Sequence, residues 1–138
     1  MSRALQIILI FVFLAGCWCI VMPGRHSLPG ETRRIAAAKI DTVAFTTALT
    51  MFQIDCDRYP TTGEGLGALI NRPTAIPEGG KWRPYFAVDK LPKDPWGRPY
   101  VYECPGKHNP DRFDVYSLGP SGKGGNEAIG NWTPAQSE

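Results

Sequence analysis

The sequence predicts an α+β fold: an N-terminal transmembrane helix, then a long amphipathic helix packed on a small antiparallel sheet. Three observations point there: an uncharged apolar run from Ala4 to Met22, a helical pattern from Glu31 to Cys56, and two short strand-like segments late in the chain. At 138 residues the chain has room for one domain. The expected division is a membrane anchor over residues 1–22, a kinked linker over 23–30 and a folded domain over 31–138. The net charge is +2 and no basic run is longer than Arg33-Arg34, which argues against nucleic acid as a partner. The 15 Gly and 13 Pro are interspersed with Trp, Tyr and Phe, so they mark turns rather than disorder.

As a helix, Ala4 to Met22 is about 28 Å long and just crosses the hydrocarbon core of a bilayer. A second reading takes Arg3 as the start of a signal peptide, Leu5 to Phe13 as its apolar region, and Leu14-Ala15-Gly16-Cys17 as a lipobox leading to lipidation of Cys17. Cys17 and Cys19 are too few ligands for a metal. Arg25, Arg33, Arg34 and Lys39 outnumber Arg3 across the span, so the positive-inside count alone would place the domain on the cytoplasmic side. Pro23-Gly24 and Leu28-Pro29-Gly30 interrupt helical continuity before the main helix.

In that helix Lys39, Thr42, Thr46, Thr50 and Gln53 form one polar strip, while Ile40, Val43, Ala44, Phe45, Ala48, Leu49, Met51, Phe52 and Ile54 spread over most of the remaining circumference. A helix that apolar needs cover, and the Gly- and Pro-rich remainder is expected to fold onto it. Pro60 ends the helix. Thr61 and Glu64 make a capping box ahead of a short helix with Leu66, Leu69 and Ile70 facing inward. Trp82, Tyr85 and Phe86 read as core aromatics. Asp94-Pro95-Trp96-Gly97 is a type I turn leading into a strand at Tyr100 to Glu103, and Cys104 to Arg112 allows an antiparallel hairpin with a strand at Phe113 to Leu118. The tail from Gly119 reads as a loop closed by an apolar plug of Ile129 and Trp132.

Chemistry is hard to find. His26 and His108 sit outside any metal or nucleophile motif, and Gly122-Lys123-Gly124-Gly125 lacks the spacing of a phosphate-binding loop. Helix-end and capping roles explain Asp55, Asp57 and Glu64 without a catalytic pair. The expectation is a non-enzymatic protein.

Leu49-Thr50-Met51-Phe52, Asp57 to Leu66, Leu91 to Tyr100, Phe113 to Ser117 and Ile129-Gly130-Asn131-Trp132 together resemble the major pseudopilins of bacterial type II secretion, the GspG family, from about Arg34 to Trp132. The resemblance implies a subunit that self-assembles into a filament with other pseudopilins and inner-membrane secretion components, in support of protein export across the outer membrane. It implies a single-pass inner-membrane protein with its C-terminal domain in the periplasm. It implies that the upper part of the main helix meets the sheet and the lower part meets neighbouring copies. An alternative is a lipid- or helix-anchored periplasmic binding module built on the same fold.

The family fold would bring Cys56 and Cys104 together, so a disulfide between them is expected and favours the periplasm over the charge count. The family binds calcium in the loop after the second strand. Here Leu118 supplies a carbonyl, Ser121, Asn126 and Ala128 stand at aspartate positions, and Glu127 is the one carboxylate, so weak or absent calcium binding is expected and no other cofactor. Aligning Pro23 with the family's helix proline puts Gln6 where a family Glu stands and leaves no leader before it.

Overall fold

The structure, a computed structural model, describes residues 29–133. One helix, α1 (Pro29–Cys56), is followed by a 3-10 helix (Leu66–Leu69) and three short strands, β1 (Val101–Glu103), β2 (Asp114–Ser117) and β3 (Ile129–Gly130). The expected anchor, the lipobox cysteine Cys17, Gln6 and His26 lie outside the described residues. Pro29 opens α1, where its fixed φ suits the first turn and its missing N–H costs nothing. The helix stops at Cys56, where Asp57 turns left-handed at φ 57° just ahead of Pro60.

Ala38, Thr42, Phe45, Ala48, Leu49 and Phe52 are the buried positions of α1 and share one face. The Gly- and Pro-rich covering meets that face with aromatic rings. Phe45 lies 5.2 Å from Phe86 and 5.0 Å from Tyr100 between ring centroids, and Phe52 lies 5.6 Å from Tyr85. Each polar tip finds a partner, as buried Tyr and Trp require. Tyr100 Oη donates to Asp41 at 2.7 Å, Tyr102 Oη to the Pro60 carbonyl at 2.8 Å, and Trp82 Nε1 to the Ala68 carbonyl at 3.0 Å.

The sheet has the order β1-β2-β3 and is antiparallel throughout. The expected hairpin pairs Val101 with Tyr116, Tyr102 with Val115 and Glu103 with Asp114. Tyr100 and Phe113 fall just outside the strands but stay buried. The third strand occupies a stretch whose sequence reads as loop: Ile129 and Gly130 pair with Ser117 and Tyr116. Two residues are too few to show alternation.

The capping box closes in both directions, with Thr61 N donating to Glu64 Oε2 at 2.7 Å and Glu64 N to Thr61 Oγ1 at 3.2 Å. The element after the box is a 3-10 turn rather than the expected α-helix. Gly65, at φ 60° and ψ −166°, sits before its first residue and takes the chain out of helical geometry, so only Leu66 to Leu69 coil. Leu66 and Leu69 still point into the core.

Candidate functional site

Two regions are candidates for function: the outer face of α1 and the loop after β2. On α1, Ile40, Val43, Met51 and Ile54 are 69%, 65%, 45% and 65% exposed. Together with the exposed Ala36, Ala44 and Thr47 they form an apolar stripe along the helix, roughly opposite the buried face. The first turns, 29–37, carry no buried residue, in line with the expected lower part. Higher up, however, the surplus is divided by face rather than by height. Met51 and Ile54 remain open although Phe52 between them is fully buried.

The polar strip lies beside the core rather than facing bulk solvent. Thr42 is buried, and Thr46, Thr50 and Gln53 are half-buried. This is tolerable because the threonines bond to their own helix: Thr42 to Ala38, Thr46 to Thr42 and Thr50 to Thr46, each at 2.8 Å to the carbonyl one turn back. Lys39, Thr42 and Thr46 face Asn131 and Trp132 across an open cleft of about 1120 Å³.

Around the sheet, two buried aspartates organise the loops. Asp94 accepts from Ser117 Oγ at 2.6 Å, Arg98 N at 2.8 Å and Trp96 N at 3.0 Å, and its side chain is fully buried. Burial pushes its carboxyl up, but the Ser117 hydroxyl, the two backbone donors and the Arg98 charge together hold it below the ordinary carboxylate value. Asp114 accepts from His108 N at 2.7 Å, His108 Nδ1 at 3.0 Å and Asn109 Nδ2 at 2.7 Å. Those donors outweigh burial, and this carboxyl is lowered as well. Asn131 extends the pairing beyond β3, its Oδ1 accepting from Val115 N at 3.0 Å and its Nδ2 donating to the Phe113 carbonyl at 2.9 Å. His108, which belongs to no sequence motif, stacks flat on Trp132 at 3.8 Å.

Oxygens at three of the expected calcium positions are engaged by backbone donors of the loop itself. The Leu118 carbonyl accepts from Gly124 N at 3.0 Å, Ser121 Oγ from Lys123 N at 3.3 Å, and Glu127 Oε2 from Ser121 N at 3.2 Å. No cluster of three or more His, Cys, Asp or Glu that could hold a metal occurs among the described residues. Calcium wants six or more oxygens, carboxylates prominent among them, and this donor set does not fit it.

Cys56 and Cys104, the pair expected to join, are not bonded to each other in the structure and have separate neighbours: Cys56 Sγ lies 3.9 Å from Tyr85 Oη, and Cys104 Sγ lies 3.6 Å from the Arg112 carbonyl. The strand end is tied to the loop that follows the helix. Thr62 Oγ1 donates to the Cys104 carbonyl at 3.0 Å and accepts from Cys104 N at 2.9 Å.

Residues 29–132 match the family described as type II secretion system (T2SS), protein G. A type II secretion system core protein G of Pseudomonas aeruginosa is 41% identical over 132 residues, 93% of this chain and 91% of that one. The protein of the same name from Aeromonas hydrophila is 38% identical over 131 residues, 93% and 88% of the two chains. The crystal structure of the major pseudopilin from the type 2 secretion system of enterohaemorrhagic Escherichia coli superposes with a TM-score of 0.63 at 36% identity, covering 78% of this chain and 90% of that one.

Proposed function

The chain belongs to the type II secretion system protein G family, and on that premise we propose that it is a pilin-like subunit that packs through N-terminal helices into a filament supporting protein export. The observation that carries this reading is the exposed stripe of Ile40, Val43, Met51 and Ile54. A row of large aliphatic side chains left in water is unfavourable for a monomer, at about 25 cal/mol per Å². A second copy is the natural cover, because the stripe runs along a rod that further rods can lie beside. The anchor over residues 1–22 holds subunits in one membrane so that their helices meet side by side, and the folded domain stands in the periplasm. Other pseudopilins and inner-membrane secretion components are the remaining partners.

Val43→Asp, expressed as the full chain in a strain lacking its own copy, tests this. Loss of secretion with the protein still present in the membrane fraction supports a filament subunit. Unchanged secretion sinks it and leaves an anchored binding module as the better reading.

A further inference from the structure

Arg98 comes just after the Asp94–Gly97 turn, and its side chain crosses to the loop after β2. Its Nη2 donates to the Gly119 carbonyl, its Nε lies 3.5 Å from Asp94 Oδ2, and its guanidinium stands over the Trp96 ring at 5.8 Å. Gly122, at φ 76°, lies so close to the guanidinium that any Cβ there would collide with it. Gly119, at φ 77°, leaves equally little room for a side chain against the Glu127 backbone. The loop backbone thus passes close to the guanidinium at the Gly119 carbonyl and at Gly122, and both glycines are left-handed. The Arg98 Nε is buried without a hydrogen bond, so Asp94 balances its charge by proximity alone.

We infer that the Arg98 guanidinium is the resident cation of the 118–127 loop, replacing the calcium that the resemblance implies, so that this loop is closed independently of calcium. The chemistry agrees at each contact. The guanidinium donates to the Gly119 carbonyl while its charge lies beside the buried Asp94, and Ser117 Oγ, which donates to Asp94, accepts from Gly119 N at 3.1 Å. A fixed positive charge there repels a divalent cation from the carbonyls it would need. Closure of this loop lies within one subunit and does not depend on the filament reading.

Hydrogen exchange read by mass spectrometry on the purified full chain in detergent tests it, comparing 118–127 with α1. The wild-type loop should exchange equally in calcium chloride and in chelator. Arg98→Met should speed loop exchange by roughly tenfold or more, as loss of a charged hydrogen bond predicts, while α1 keeps its protection. Calcium-dependent protection of the wild-type loop would overturn the inference, as would wild-type loop exchange in Arg98→Met. If Arg98→Met loses protection across α1 as well, the calcium arm on the wild type decides alone.

Discussion

The two faces of α1 are similarly apolar in sequence and opposite in fate. One carries Phe45, Leu49 and Phe52, fully buried beneath the covering; the other carries Ile40, Val43, Met51 and Ile54, left largely open. Hydrophobicity alone does not distinguish them. Shape does: the flat rings of Phe45 and Phe52 meet Tyr85, Phe86 and Tyr100 at tilted angles, a fit that a thin Gly- and Pro-rich covering can supply from loops. The outer face has aliphatic side chains at helical spacing, suited to meshing with another helix. The covered face therefore carries the stability of the subunit, and the open face is the one left for the association proposed above.

That contrast can be broken most forcefully from the covered side. Phe45→Ala or Phe52→Ala removes a fully buried ring and should destabilise the fold by about 3–5 kcal/mol, a large share of a domain's net stability, visible as a steep fall in the chemical denaturation midpoint. Next is Asp94→Asn, which leaves the Arg98 charge without its buried counter-ion and should cost about 2–4 kcal/mol in the same assay.

A smaller effect is expected at the helix exit. Arg58 grips Glu64 with two bonds of 2.7 and 2.8 Å, and this contact, helped by Thr61, holds the Glu64 carboxyl down to about 2. The folded state therefore binds this proton less tightly than the unfolded chain does. The contribution is complete above the ordinary value of 4.5 and fades as the pH falls through about 2. Because Arg58 is partly exposed, Glu64→Gln should cost only about 1–2 kcal/mol at neutral pH, and the gap to wild type should close on acidification. Least of all, Val43→Asp should change the stability of the subunit itself by no more than about 0.5 kcal/mol, since that side chain is largely exposed.

Much of this is legible in the sequence. The helix over 31–56, the Thr61–Glu64 box, the turn at Asp94 and the hairpin all arise from local patterns whose causes lie within a few residues of one another. The features that escape a reading of the sequence depend on contacts distant along the chain. β3 is two residues long, and its pairing is continued by the Asn131 amide, a side chain acting as strand backbone. Asp94 and Asp114 look like turn and surface residues until the chain folds over them. In the loop after β2, counting local oxygen ligands misses the cation, because it arrives from Arg98, about twenty residues earlier in the chain. The polar strip misleads for a related reason: threonines that bond to their own helix need no water and can lie against the core.

The open face of α1 must be the one that meets other copies if the division of labour between the two faces holds. A photo-crosslinking residue at Val43, compared with one at the exposed but remote Lys90 in membranes at native expression, tests this directly. The prediction is a ladder of multimers of this chain from Val43 and none from Lys90; monomers alone from Val43, or equal ladders from both positions, would contradict it.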